Sequence, residues 1–103
     1  MKSFKISVEA QKDIEKIWLY TFETWSIEQA DRYINQIFEE IEYISKKPAQ
    51  GDNFSDVRKG YFRAKVKLHY IFYKIDKETK IVEIIRVLHQ RMDIEDRLKD
   101  SFE

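Results

Sequence analysis

The spacing of apolar positions divides the first half of the chain into one strand and two helices. Residues 2–8 alternate apolar and polar side chains, which is typical of a half-buried strand. Residues 9–25 place apolar side chains at helical intervals and predict a first helix. Ser26, with Gln29 three residues later, marks the start of a second helix, and Pro48 ends it. Because one or two residues separate the helices, we expect an antiparallel hairpin.

The second half of the chain returns to strand patterns after a polar loop at 48–60. Three strands are predicted, at about 60–66, 68–75 and 80–88. Residues 76–79 form the turn between the last two, and a short helix over 93–99 finishes the chain. The predicted fold class is α+β. It is a single domain over residues 1–103, with an N-terminal strand, a two-helix hairpin, a three-stranded antiparallel sheet and a C-terminal helix.

The register of the last hairpin decides which side chains share a face of the sheet. With 76–79 as its loop, we expect Tyr73 opposite Val82 and His69 opposite Arg86. The helices would cover a first face that comprises Phe62, Ala64, His69, Ile71, Tyr73, Val82, Ile84, Arg86 and Leu88. Solvent or a partner would meet a second face that comprises Tyr61, Arg63, Lys65, Tyr70, Phe72, Lys74, Ile81, Glu83, Ile85, Val87 and His89.

The length of the turn between the strands at 60–66 and 68–75 decides which faces of the sheet the side chains of the first of these strands occupy. The face assignment holds for a two-residue turn at Val66 and Lys67. A three-residue turn would move this strand's side chains to the opposite faces, because a one-residue slip exchanges them.

Composition narrows the class of protein. The chain of 103 residues is long enough for one hydrophobic core. It has no Cys, which excludes a disulfide framework and thiol chemistry. No apolar run approaches the roughly 20 residues that span a bilayer, and the N-terminus has no signal-peptide core. We therefore expect a cytoplasmic protein with no membrane partner.

Charge is balanced overall and uneven along the chain. The formal net charge is +0. Residues 58–74 carry six Lys or Arg side chains and no acid, whereas residues 93–103 are mostly acidic. The basic segment therefore predicts a surface for an acidic partner.

The candidate chemistry begins with the two histidines, His69 and His89. They are expected on opposite faces, and no acid is spaced to assist them, so we expect no metal and no cofactor. No Ser has the context of a nucleophile, and two Gly cannot build a phosphate-binding loop. The sequence therefore predicts neither metal-dependent chemistry nor a serine hydrolase.

Metal-free RNA cleavage is the remaining enzymatic hypothesis. It requires a base, cations for the phosphate and an acid for the leaving oxygen. A candidate basic rim supplies cations, and it comprises Arg63, Lys65, Lys67, Arg86, His89 and Arg91. The alternative is that these side chains keep a sheet face solvated or bind a partner. We interpret His69 as a hydrogen-bonded structural residue, whereas His89 fits either a catalytic or a structural role.

Fifteen aromatic side chains exceed what one small core easily hides. Five of them follow the periods of their elements and are expected in the core, and they are Trp18, Trp25, Tyr33, Phe38 and Phe72. Some apolar surface of the predicted hairpin is expected to remain for a partner, and the candidate contacts are Trp18, Phe22, Tyr33 and Phe38.

The order of elements and a series of short motifs resemble the ParE/RelE toxin superfamily, closest to its ParE branch, over roughly residues 4–97. The first motifs are Asp13-Ile14-Glu15 with Ile17 and Tyr20, then Trp25-Ser26 with Gln29-Ala30 and Tyr33. The later ones are Pro48-Ala49-Gln50-Gly51, Gly60-Tyr61-Phe62-Arg63, His69-Tyr70-Ile71-Phe72-Tyr73 and Arg86-Val87-Leu88-His89-Gln90-Arg91-Met92-Asp93.

This resemblance implies a toxin of a type II toxin–antitoxin system that inhibits DNA gyrase by binding and has no catalytic residue of its own. It also implies a cognate ParD-like antitoxin that forms a hetero-oligomer with the toxin. The alternatives are a ribosome-dependent mRNA endonuclease and an inactive toxin that serves in a repressor complex. Nucleases of this superfamily carry a C-terminal Tyr, and here no Tyr follows Tyr73.

The resemblance also suggests how the partners meet this chain. An acidic, apolar-rich antitoxin segment is expected to order on the helical hairpin or on a sheet edge. Arg86 and Arg91 would meet acidic groups of a partner, and Asp93 would cap the last helix.

Overall fold

The computed structural model describes residues 4–53, 55 and 58–91. The helices are α1 (Val8–Thr24) and α2 (Ile27–Lys46), followed by a short 3₁₀ turn at Pro48–Gln50. The strands are β1 (Phe4–Ile6), β2 (Asp52–Asn53), β3 (Tyr61–Val66), β4 (His69–Ile75) and β5 (Val82–His89). The predicted α+β class is confirmed. The expected helix at 93–99 and its cap lie outside the described residues.

Side-chain caps fix where both helices begin. The Ser7 hydroxyl accepts the Ala10 N–H at 3.0 Å, so α1 begins one residue earlier than predicted. The Ser26 hydroxyl accepts the Gln29 N–H at 3.0 Å, which confirms the predicted start of α2. Such caps satisfy N–H groups that have no partner inside the helix, and each contributes about 1 kcal/mol.

The strands form one sheet in the order β1-β5-β4-β3-β2. β1 runs parallel to β5, and the other neighbours are antiparallel. The sheet thus has five strands where the pattern predicted three after the hairpin, because β1 joins it and two residues of the polar loop form β2. Neither described helix has the uninterrupted apolar length that crossing a bilayer requires.

The helical hairpin covers one face of the sheet, as predicted. Isoleucines of both helices meet small and branched residues of the strands, and the buried cluster comprises Ala10, Ile14, Ile17, Ile37, Ile41, Ile44, Ala64, Val66, Ile71, Tyr73, Val82, Ile84 and Val87. Tyr33, Phe38 and Phe62 pack against it and are half-buried.

A β-bulge changes the predicted register of β5. Tyr73 lies opposite Ile84, and Ile71 lies opposite Val87, with an irregularity between Phe72 and Tyr73. Beyond the bulge the faces of β5 exchange, so that Val87 joins the core beneath the helices in place of Leu88. The prediction of Tyr73 opposite Val82 is also wrong, because the loop before β5 is two residues longer than predicted and Ile75 already pairs with Val82.

The same bulge reverses the prediction for the two histidines. His69 lies opposite His89, and Phe72 lies opposite Arg86. Directly opposed residues of antiparallel strands share a face, so the expectation that the histidines lie on opposite faces is wrong.

The turns on either side of β4 also differ from expectation. The turn between β3 and β4 has two residues, Lys67 and Leu68, rather than Val66 and Lys67. This shift by one leaves Tyr61, Arg63 and Lys65 opposite Lys74, Phe72 and Tyr70, which confirms their predicted shared face. The last loop runs over 76–81 and not 76–79, because Ile75 pairs with Val82.

Candidate functional site

A groove of about 720 Å³ lies between the turn of the helical hairpin and the end of the sheet where β4 begins and β5 ends. We call it the hairpin groove; it is lined by Asp13, Lys16, Ile17, Tyr20, Thr21, Thr24, Trp25, Gln29, Tyr33, Lys67, Leu68, His69, Val87 and His89. A second cavity, of about 160 Å³, lies between the end of α2 and β3. The hairpin groove is the only one of the two that is large enough for a peptide segment.

The wall of the hairpin groove is apolar and open to solvent. Tyr20 is 68% exposed, Trp25 is 73% exposed and Leu68 is 53% exposed. Large apolar side chains that lie together and face water mark surfaces that partners cover. Lys16 and Lys67 also line the groove, so its wall combines apolar area with positive charge.

The two histidines meet at the sheet end of the groove. Their ring centroids are 5.1 Å apart, with planes at 84°. The Tyr33 hydroxyl lies 2.6 Å from His69 Nδ1 and 3.2 Å from the Val66 carbonyl oxygen. The interpretation of His69 as a hydrogen-bonded residue is confirmed, and its partner is Tyr33.

The environment of His69 opposes its protonation. Burial, with a smaller contribution from the neighbouring His89, lowers the pKa of His69 to about 4, whereas Asp13 acts in the opposite direction. Burial disfavours a cation because it removes water from the charge. His69 is therefore neutral at pH 7 and acts there as a polar, uncharged group.

His89 is held by the backbone that follows β5. The Arg91 N–H donates to His89 Nδ1 at 3.1 Å. Since that nitrogen accepts, the proton of the neutral ring is on Nε2, and His89 offers an N–H donor at Nε2.

A buried carboxylate fixes the groove wall on the sheet. Asp13 Oδ2 accepts from Arg86 Nε at 2.7 Å and from the Val87 N–H at 3.0 Å, and Oδ1 accepts from Arg86 Nη2 at 2.9 Å. Both side chains of this pair are nearly buried, at 12% and 9% exposed. β1 pairs with β5 only as far as Ile84, so α1 closes the edge of β5 beyond it.

Sequence reasoning missed Asp13, although the sequence carried a signal. Position 13 lies on the same helical stripe as Ala10, Ile14 and Ile17, which are all buried. A carboxylate on a buried stripe requires a cation or several N–H donors. That requirement indicates a partner elsewhere in the sequence, and Arg86 is that partner.

The structure divides the predicted basic rim between three places. Lys67 and His89 line the hairpin groove, and Arg91 is exposed beside His89. Arg86 is bound by Asp13 inside the chain.

Arg63 and Lys65 occupy the opposite face of the sheet. Arg63 lies 4.4 Å over the Tyr70 ring and 3.5 Å from Asp52, and Lys65 is exposed opposite Tyr70.

The predicted antitoxin-contact residues are also divided. Tyr33 lines the groove, and Phe38 packs against the core. Trp18 and Phe22 stack at 5.3 Å, and Trp18 Nε1 donates to Asp31 at 2.9 Å, which joins the two helices. Trp25 was expected in the core, and that expectation is wrong.

The polar side chains of the groove offer hydrogen-bond donors and positive charge to a bound partner. Among residues 4–53, 55 and 58–91, no three His, Cys, Asp or Glu side chains lie together as metal ligands. Of the described residues that line the groove, one is a carboxylate, Asp13, and it is already bound by Arg86 and Val87.

Comparison with known proteins identifies the class of this protein. The family model described as "ParE toxin of type II toxin-antitoxin system, parDE" matches residues 4–94. Toxin ParE1 of Caulobacter vibrioides is 38% identical over 93 residues, which cover 90% of this chain and 94% of the relative. Toxin ParE1 of Mycobacterium tuberculosis is 33% identical over 95 residues, which cover 92% and 96%.

The chain therefore belongs to the ParE toxin family of type II toxin–antitoxin systems. Solved structures share its fold. The chromosomal ParDE toxin–antitoxin system from P. aeruginosa aligns with a TM-score of 0.74 at 18% identity, over 86% of this chain and 96% of that one. The RelBE2 toxin–antitoxin complex of Mycobacterium tuberculosis aligns with a TM-score of 0.65 at 22% identity, over 86% and 98%.

Proposed function

We propose that the hairpin groove receives a ParD-like antitoxin that neutralises this toxin, and that the free toxin inhibits DNA gyrase in the cytoplasm. The observation that carries the proposal is the exposed aromatic wall of the groove, at Tyr20 and Trp25. The structurally similar ParDE and RelBE2 proteins come from toxin–antitoxin assemblies, which supports an antitoxin partner and a hetero-oligomer.

The groove also indicates the chemistry of the antitoxin segment. Leu68, Tyr20 and Trp25 require an apolar face, and Lys16 and Lys67 require acidic side chains beside it. An amphipathic segment that is disordered when free meets both requirements by ordering on the groove.

Gyrase inhibition would proceed by binding rather than by bond cleavage. The basic residues that we propose for this contact lie on two parts of the surface: Arg63 and Lys65 on the sheet face opposite the helices, and Lys67 and Arg91 at the groove. Cations accelerate association with an acidic surface, and the contact weakens as salt rises. Arg86 has no place in this surface because Asp13 binds its guanidinium.

A supercoiling assay with purified gyrase and toxin tests the target. Toxin should inhibit supercoiling, and Lys65→Glu should raise the half-inhibitory concentration about tenfold because it reverses a charge on the contact. Lys77→Glu is the matched control, since Lys77 is exposed in the loop at the other end of β4. Supercoiling that is unaffected by excess toxin would contradict the target.

One observation favours a second function, a ribosome-dependent mRNA endonuclease. His69, His89 and the Tyr33 hydroxyl lie together in the groove, and two imidazoles supply an acid and a base. Primer extension on translated mRNA separates the two functions. Codon-dependent cuts that vanish in His89→Ala would establish the nuclease, whereas toxicity that survives His89→Ala without cuts supports gyrase.

A further inference from the structure

We propose that the sheet end of the hairpin groove, formed by His69, His89 and Lys67, is a carboxylate subsite that receives one acidic side chain of the bound antitoxin. This inference rests on the proposed occupation of the groove by the antitoxin. It adds a defined contact and a proton-linked readout to that proposal.

The first argument is that the lysines of the groove have no free carboxylate beside them among the described residues. Among the residues that the structure describes, Asp13 is the only acid that lines the groove, and its carboxylate already accepts three hydrogen bonds, from Arg86 and Val87. Within the described part of the chain, neither Lys16 nor Lys67 forms an ion pair. An occupant must therefore bring its own negative charge to balance this end of the groove.

The second argument is which nitrogen of each imidazole ring is already hydrogen-bonded. Tyr33 occupies His69 Nδ1, and the Arg91 N–H occupies His89 Nδ1. On each ring Nε2 is the remaining nitrogen, and on neutral His89 it carries the proton. A carboxylate has two oxygens and accepts from two donors at once, which suits two imidazoles whose centroids are 5.1 Å apart.

The third argument concerns charge. The groups that face His69 are Tyr33 from α2, Asp13 and Lys16 from α1, Lys67 from the turn and His89 from β5. Burial and the neighbouring His89 keep the pKa of His69 low in the free toxin, and Asp13 opposes them only weakly because Arg86 balances its charge. A bound carboxylate would reverse this balance, since an adjacent anion favours the imidazolium.

The subsite therefore predicts that the antitoxin draws a proton onto the histidine pair. An adjacent anion raises the pKa of His69 from about 4 by up to about three units, so at pH 7 we expect an uptake of up to about 0.5 proton per complex, and Kd should fall by up to about tenfold for each unit of falling pH between 8 and 6. Most carboxylates stay ionised over that range, so their own titration does not reverse the trend.

Calorimetry tests the subsite with the full-length toxin and the purified antitoxin encoded beside it. The titration is repeated in two buffers of different ionisation enthalpy, and the difference in heat gives the protons taken up. Wild-type toxin should show the uptake, and His69→Gln with His89→Gln should lose it while still forming the complex. Glu→Gln and Asp→Asn changes in the antitoxin segment should identify one carboxylate whose loss has the same effect.

Two outcomes overturn the inference in distinguishable ways. A complex that forms without proton uptake, or with an uptake that survives both His→Gln changes, overturns the subsite and leaves the groove as antitoxin site. Absence of any complex overturns the proposed function together with the subsite. If the variants do not fold, NMR of the wild-type imidazole Cε1–H signals gives the same answer, since both rings staying neutral in the complex at pH 7 would contradict the subsite.

Discussion

The two ends of the helical hairpin differ in what their aromatic and branched side chains do. At the end of α2, Ile41 and Ile44 are buried against the sheet, and the Tyr73 hydroxyl donates to the Pro48 carbonyl oxygen at 2.7 Å. At the turn of the hairpin, Trp25 and Tyr20 remain in water. The closed end therefore carries stability, and the open end keeps its apolar area for a partner.

The strongest single anchor is expected to be the buried Asp13–Arg86 pair, which joins α1 to β5 beside the groove. Asp13→Ala should lower the free energy of unfolding by about 3 to 5 kcal/mol, because it removes the buried carboxylate that binds the Arg86 guanidinium and accepts the Val87 N–H. Urea denaturation measures this loss. The exposed Glu15→Ala is the matched control on the same helix, and an equal effect of both changes would contradict the anchor.

Truncation at each end tests the comparison directly. Ile41→Ala should cost about 2 to 5 kcal/mol because it leaves a cavity in the core. Trp25→Ala should change the free energy of unfolding by less than about 0.5 kcal/mol, since the side chain is already exposed. Equal losses at both positions, measured by urea denaturation, would remove the distinction between the ends.

The closed end should also resist added volume. A Cβ at Gly51 would overlap the Tyr73 hydroxyl, so Gly51→Ala should cost about 1 to 3 kcal/mol. In a Tyr73→Phe background the same change should cost less, because the obstructing oxygen is gone. Thermal unfolding of the four proteins measures this coupling, and strictly additive losses would argue against the contact.

The open end should also respond to pH, through His69. The pKa of His69 is about 4 in the fold and about 6.5 when unfolded, so the unfolded chain binds the proton more readily in between. Stability from this group is complete above pH 6.5 and is lost as pH falls towards 4. Between pH 7 and 5 the loss should be about 1 to 2 kcal/mol after allowance for solvent screening, and His69→Gln should lack it.

Urea denaturation at both pH values measures the difference between wild type and His69→Gln. Parallel pH dependences in the two proteins would show that other groups govern the acid response.

Much of the fold could be predicted from the sequence because local patterns determine it. Ser26 and Pro48 mark the limits of α2, and the spacing of isoleucines gave the face that meets the sheet. The β-bulge carries no such local mark, since Phe72 and Arg86 are ordinary strand residues, and the pairing of His69 with His89 depends on it.

The site was harder to predict because it depends on contacts between distant segments. Asp13 and Arg86 are far apart in sequence, and only the fold shows that Arg86 is bound within the chain. Trp25 follows the helical period of α1, but it lies where the chain leaves the helix, so it is exposed. Periodicity alone cannot distinguish a core aromatic from one at the open end of a hairpin.

The affinity of the antitoxin for groove variants tests the central claim most directly. Trp25→Ala combined with Tyr20→Ala should raise the Kd by about 100-fold or more, because two exposed aromatic contacts are lost. The same variant should unfold at the same urea concentration as wild type, and Lys77→Ala should bind as wild type does. An unchanged Kd in the folded double variant would contradict the assignment of the hairpin groove as the antitoxin site.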